Sequence, residues 1–189
     1  MARTKGSSAQ ATRTRIFDAA ARLFAAHGFA AVSMRDIAAE VGVQVGALYR
    51  YTPDKDSLLF DLVAGHLRAL MAAWEGCDDP VPLAGFVRNH LNFNLAQPAA
   101  AVISSRELHC LQGPHAREVF TLRADYETIL GRILLDRGMS PEEAAFTTRS
   151  ILAMLNWVPV WFRTGGEMTA AQVADRYVAL TDRMVPITV

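Results

Sequence analysis

Residues 41–60 read VGVQVGALYRYTPDKDSLLF. A Gly-Val turn leads into a short apolar-aromatic stretch, Val45 to Tyr51, closed by Thr52 and Pro53. A helix of about seven residues is marginal in water on its own. Tertiary contacts must hold it, and its free face is available to something else. The preceding residues supply the contacts. MRDIAAEV (34–41) reads as a second helix, opened by Ser33 with Asp36 three positions later. That is a capping-box start, and it places negative charge on the first turn. Gly42 supplies a left-handed turn that other residues resist. Upstream, Ile16, Ala20, Leu23, Phe24 and His27 recur on one face of a first helix, with Gly28 as its C′ residue. Ile16, Ala20, Phe24, Ile37, Ala38, Val41 and Leu48 can then close a miniature core. Two helices joined across a tight glycine turn form the helix-turn-helix pattern, whose second helix is shaped to enter a major groove.

The residue types on the short helix fit that use. Gly46 and Ala47 permit close approach, and Val45 offers an apolar contact. Gln44 and Arg50 can reach base edges, and Tyr49 can reach a phosphate or a thymine methyl. Arg13, Ser33, Arg35 and Lys55 surround this helix as candidate backbone contacts. Formal net charge is zero, which by itself argues against a nucleic-acid partner, but the distribution is uneven. Residues 1–60 hold eight Lys/Arg against five acids, and the first seventeen residues carry four cations and no acid. A basic head on an acidic body follows. A packed Tyr49, a merely solvated Arg13 and a helix-turn-helix without DNA remain open on these grounds alone.

The whole stretch IFDAAARLFAAHGFAAVSMRDIAAEVGVQVGALYRYTPDKDSLL resembles the DNA-binding domain of the TetR family of bacterial transcriptional regulators, across residues 12–60. The shared order is helix, G-F, S/T-x-x-x-I-A, G-V and L-Y-x-x-F-x-x-K. The resemblance implies an all-α homodimer. Its third helix would read DNA, and a larger C-terminal domain would bind a small molecule that releases the DNA. Two departures stand out. A polar or basic residue, Gly and then Ser/Thr are usual in helix three, where this chain has Val45, Gly46 and Ala47. The usual Phe is Thr52.

Helical periodicity continues through the rest of the chain, and strand signals are almost absent. Thr52 is placed to cap a fourth helix with Pro53 at its first position, running to Glu75. GCDDPVP (76–82) is the clearest break. Helices are expected at about 83–96, 99–111, 115–137, 141–164 and 169–184, punctuated by Pro98, Pro114, Gly138 and Gly165-Gly166. Cys77 and Cys110 form no motif, and the N-terminus lacks an apolar signal region, which points to a reduced cytoplasmic setting without a membrane.

No catalytic constellation emerges. Ser104-Ser105 near His109 lacks a nucleophile-elbow context. His109, Cys110 and His115 match no structural zinc spacing, so no metal or cofactor is expected. SILAMLNWVPVWFRTGGEMTAAQVADRYVALTDRM (150–184) and RELHCLQGPHAREVFTLRADYETIL (106–130) resemble a TetR branch whose members often respond to acyl-CoA thioesters. Candidate pocket residues are Trp74, Phe86, His90, Phe93, Asn94, His109, Arg123, Tyr126 and Asn156. They set polar groups against an apolar background, and a buried polar group needs a partner. The apolar faces of the last two helices suit an intermolecular four-helix bundle, with Leu155, Val158, Phe162, Val173, Tyr177 and Leu180 as candidate contacts. Trp157 and Trp161 share one stripe.

The expectation is therefore an all-α chain of about nine helices. A basic arm covers 1–9, a helix-turn-helix domain 10–55, and a ligand-binding and dimerisation domain 56–189. It would be a non-enzymatic regulator, most simply a homodimeric repressor that leaves a palindromic double-stranded operator when a hydrophobic effector such as an acyl-CoA binds. A regulator sensing drugs or other small molecules, and an all-α binding module without DNA, are the alternatives.

Overall fold

The computed structural model describes residues 5–185, which form nine α-helices, one short 3₁₀ turn and no strand. Helix α1 (Lys5–His27) ends where Gly28 takes φ 81° and its N–H reaches Phe24 O at 2.9 Å. The arm expected over 1–9 falls partly outside the described residues, and residues 5–9 already belong to α1. Helix α2 (Met34–Val41) carries the capping box that Ser33 and Asp36 announce. The Asp36 carboxylate accepts from Ser33 N at 2.8 Å and Oγ at 2.7 Å, and these bonds hold its pKa below the usual carboxylate value. Gly42 follows at φ 73°.

Helix α3 is shorter than expected. It spans Val45–Leu48, and a turn carries the chain on to Tyr51. Leu48 is fully buried among Ile16, Phe24 and Ile37, so tertiary packing holds what propensity alone would not. Helix α4 (Lys55–Glu75) begins two residues later than expected. Asp54 caps it by accepting from Ser57 N at 2.6 Å, while Thr52 donates its hydroxyl to Asp54 O. A carboxylate aimed at the helix N-terminus is the stronger cap, and it leaves Thr52-Pro53 in the turn.

The body comprises α5 (Pro82–Ala96), α6 (Pro98–Arg106), the 3₁₀ turn Leu108–Cys110, α7 (Gly113–Asp136), α8 (Pro141–Trp161) and α9 (Ala170–Met184). Helix α8 stops at Trp161, short of the expected 164, because Phe162 turns extended. Two apolar cores result. The first joins the head to Leu58, Leu59, Ile103, Leu111 and Val119, so it crosses the expected boundary near residue 55. The second gathers Leu70, Phe86, Leu91, Leu130, Ile151 and Val173. Helix α4 contributes to both. By length and composition it could cross a membrane; here its buried side chains are divided between the two cores.

Candidate nucleic-acid interface and buried cavity

The head presents α3 and the turn after it to solvent. Tyr49 is 53% exposed, and Gln44, Gly46 and Arg50 are exposed as well. Val45 and Ala47 are half-buried, and Val45 packs against the core. Arg35 is exposed on α2. Arg13 is exposed on α1 but occupied, pairing with Asp61 at 3.4 Å and lying 4.1 Å over the Phe17 ring. Ser33 spends its hydroxyl on the capping box. Lys55 is placed differently from the expectation. Its Nζ donates to the carbonyls of Phe29 and Val32, both at 2.8 Å, and sits 4.2 Å over the Phe29 ring. That side chain clamps the loop between α1 and α2 from the start of α4.

The body has a different interior. A cavity of about 30 Å³ lies between α4, α5, α6, α7 and α8. That is room for about two water-sized groups. Of the expected ligand residues, His90, Asn94, Arg123, Tyr126 and Asn156 line it. Trp74, Phe86 and Phe93 stand behind the wall as packing: Trp74 meets Phe86 edge-on at 5.5 Å, and Phe93 lies 5.2 Å from His66. His109 lies outside it, exposed, its Nδ1 bonded to Arg106 O at 3.0 Å. Glu107, His109 and Cys110 bring one potential ligand atom each within 4.8 Å of one another. His115 is separate from them, stacked on Phe60 at 4.3 Å.

A hydrogen-bond chain runs through the cavity wall. His66 Nε2 meets Asn94 Oδ1 at 2.8 Å, Asn94 Nδ2 meets His90 Nε2 at 2.8 Å, and His90 Nδ1 meets Tyr126 Oη at 3.0 Å. Its sense follows from the amide. Asn94 donates to His90 Nε2, so His90 carries its proton on Nδ1 and gives it to the tyrosine oxygen. The amide oxygen accepts from His66, so the His66 proton is on Nε2 and Nδ1 is a bare acceptor. Both imidazoles are neutral. Burial pushes the His90 pKa down to about 3, His66 nearby adds to the effect, and Asn156 offsets only part of it. Burial also lowers His66, against the bond to Asn94. Burial raises the Tyr126 hydroxyl well above its ordinary value. Two polar atoms on residues of this wall, His66 Nδ1 and Ser104 Oγ, are buried without a hydrogen-bond partner.

Two family models cover the chain. Residues 82–185 match the tetracyclin repressor-like C-terminal domain. Residues 16–62 match the N-terminal domain described as bacterial regulatory proteins, tetR family. The chain belongs to the TetR family. Among curated TetR proteins it is similar to the HTH-type transcriptional repressor KstR2 of Rhodococcus jostii strain RHA1, at 29% identity over 94% of this chain and 91% of the relative. A tetR-family regulatory protein from Rhodococcus RHA1 superposes with a TM-score of 0.84 at 27% identity, covering 94% of this chain and 98% of that one. AibR, solved in complex with isovaleryl coenzyme A and operator DNA, shares the fold with a TM-score of 0.80 at 21% identity, covering 94% and 100%.

For this TetR chain, sequence reasoning missed His66, Ser104, Ser105 and Glu127 on the cavity wall. It also placed in an outer surface three residues that the chain covers itself. Leu155, Val158 and Val173 are buried in the chain's own core, and Phe162 and Tyr177 are half-buried. Of the residues expected there, Leu180 is exposed, at 36%. The apolar side chains that α8 turns outward are Phe146 at 73%, Trp157 at 57% and Trp161 at 39%. Helix α8 is apolar on more than one face, so periodicity alone could not say which face is core.

Proposed function

We propose that this protein is a homodimeric, effector-released repressor acting on operator DNA in the cytoplasm. The observation that carries the DNA reading is the exposure of Tyr49 and Arg50 in the turn that closes a short helix, whose one fully buried side chain is Leu48. Those two side chains, with Gln44, Gly46 and the half-buried Val45 and Ala47, are the base-facing set. Arg35 and Arg13 are the phosphate-facing set, Arg13 after releasing Asp61. Lys55 and Ser33 serve by fixing the geometry of α2 and α4. Phe146, Trp157, Trp161 and Leu180 are the large apolar side chains that α8 and α9 expose, and they suit contact with a second copy. Pairing there sets the separation of two heads on a palindrome.

The effector enters the cavity between α4 and α8, and an acyl-CoA thioester is the class we favour. The fold shared with AibR, solved with isovaleryl coenzyme A, supports that class. A cavity of about 30 Å³ cannot hold an acyl chain, so binding requires the helices to part. Helix α4 couples that movement to the head, because His66, Leu67 and Leu70 wall the cavity while Leu58 and Leu59 lie in the head's core. An effector acts only through its different affinity for the two arrangements. The test begins with selection of random duplex DNA by the purified protein at near-physiological salt. A palindrome of two half-sites supports the reading, and that duplex then becomes the probe for release by a series of acyl-CoAs. No enriched motif from a folded dimer would overturn it in favour of a binding module without DNA.

A further inference from the structure

The buried chain Tyr126–His90–Asn94–His66 has a direction, and its direction decides what it can recognise. In the arrangement present, every internal donor meets an acceptor, and the two ends differ. The tyrosine end keeps an O–H to donate. The His66 end offers a lone pair at Nδ1 with nothing to fill it. Ser104, 6% exposed, adds an unpartnered hydroxyl on the same cavity wall. A buried polar atom left unpaired is destabilising, and proteins retain few of them. Two on one wall, beside an apolar lining of Leu67, Leu70 and Leu152, describe a site for a small polar group attached to an apolar one.

We propose that the effector seats an uncharged hydroxyl group in this cavity, donating its proton to His66 Nδ1 and accepting from the Ser104 hydroxyl. The location rests on the effector reading given above; the chemistry does not depend on a coenzyme A group. A hydroxyl satisfies both orphaned atoms at once, because it is donor and acceptor together. A carbonyl satisfies only Ser104 and sets its oxygen against the lone pair of His66. To welcome a carbonyl, the Asn94 amide must turn over and both imidazoles must move their protons to the other nitrogen. The tyrosine then donates into His90, and His66 Nδ1 becomes a donor. A carboxylate is worse still, since the chain is neutral and a buried anion without a cation is disfavoured. Arg123 lines the cavity, but so does Glu127. The four linked groups therefore sort oxygen functions by their hydrogen-bonding sense, and His66 places the result on α4.

The test is nitrogen NMR of the imidazoles in the full-length protein, with 2-butanol and 2-butanone as matched uncharged probes, whose alkyl tails, like an acyl chain, enter only as the helices part. Without a probe, His66 is expected to be protonated on Nε2 and His90 on Nδ1. Butanol should shift the His66 Nδ1 resonance and bind about fivefold or more tightly than butanone, the equivalent of one net hydrogen bond. Ser104→Ala should weaken both probes alike and leave the preference in place, since either oxygen accepts from Ser104 and only the alcohol donates to His66; the thermal midpoint should not fall, because an unpaired hydroxyl is removed. A His66 protonated on Nδ1 in the free protein, equal binding of the two probes, or neither probe reaching His66 would overturn the proposal. Butanol recognition in a protein whose operator complex ignores every acyl-CoA would keep the hydroxyl site and remove only the coenzyme reading. Release by an acyl-CoA with no effect of butanol on His66 would do the reverse.

Discussion

The head and the body bury opposite things. The interior of the head is largely apolar: Ile16, Phe24, Ile37 and Leu48 are at 0% exposure, and its buried polar side chain Thr52 is satisfied, donating its hydroxyl to Asp54 O. The body buries His66, His90, Asn94, Ser104, Thr147, Thr148 and Thr181. The buried side-chain atoms without a partner among the described residues, on His66, Asn89, Ser104 and Thr148, are all in the body. An apolar interior is indifferent to what binds outside, so it serves as a rigid mount for a reading surface. A polar interior stays poised, since its unmet hydrogen bonds give an entering molecule something to gain. The same chain thus separates the part that must stay fixed from the part that must respond.

The sharpest way to break this comparison is to loosen the head. Leu48→Ala truncates the one fully buried side chain of α3, and large-to-small changes at fully buried sites cost about 2–5 kcal/mol. Urea unfolding should show that loss. The variant should also bind operator weakly although Leu48 touches no DNA. An unchanged midpoint would mean that α3 is not held by this core. The surface above the anchor should behave in the other way. Tyr49→Ala combined with Arg50→Ala should lower operator affinity about 100-fold or more, from the 1–3 kcal/mol attached to a good base contact. Circular dichroism and dimer mass should stay as in the parent, since both side chains are exposed.

The body should answer to pH where the head does not. His90 titrates at about 3 when folded and near 6.5 when unfolded. Above the unfolded value, neither state binds the proton and nothing is lost. Between 6.5 and 3 only the unfolded chain binds it, so stability falls as pH falls, with a slope of about 1.4 kcal/mol per pH unit. The unfolding free energy from urea titrations should therefore drop by about 2 kcal/mol from pH 7 to 5 for this imidazole alone. Asp36, Asp54 and Glu143 have pKa values lowered from the ordinary carboxylate range, so their loss comes at more acid pH than this window. A flat profile from 7 to 5 would show that the unfolded chain gains no proton that the folded one refuses.

How much of this was legible in the sequence follows the same division. The head is local. Ser33 and Asp36 sit three positions apart, Gly28 and Gly42 mark their turns, and the core positions recur at helical spacing, so the order of residues carries the geometry. The cavity is not local. His66 lies in the apolar run LVAGHLRAL, and its partner Asn94 is 28 residues away on another helix. Nothing near His66 in the chain announces the bond. Ser104 drew notice only as a poor nucleophile, because its significance lies in lacking a partner, which a sequence cannot show. The outward tryptophans of α8 could not be told from its core for a related reason. Leu155 and Val158 are as apolar as Trp157 and Trp161, and only the packed body decides which pair it covers.

Lys55 offers the smallest and most discriminating test of the line between mount and reading surface. A cation beside a candidate DNA helix reads as a phosphate contact, yet its Nζ is held at 2.8 Å by two carbonyls of the loop between α1 and α2. A charged donor to a backbone carbonyl contributes about 1.5–3 kcal/mol when both partners are out of water, and less where the site is half-buried, as here. Lys55→Met keeps the apolar stem over Phe29 and removes the donor. It should lower head stability by about 1 kcal/mol and weaken operator binding only in proportion. The diagnostic is salt. Each phosphate contact adds about one to the slope of log affinity against log salt. Lys55→Met should leave that slope unchanged, whereas Arg50→Ala should reduce it by about one if Arg50 reaches phosphate, and relax one base position if it reaches guanine. A reduced slope for Lys55→Met would move this lysine from the frame of the head to its reading surface, and the clamp would then have to open when DNA arrives.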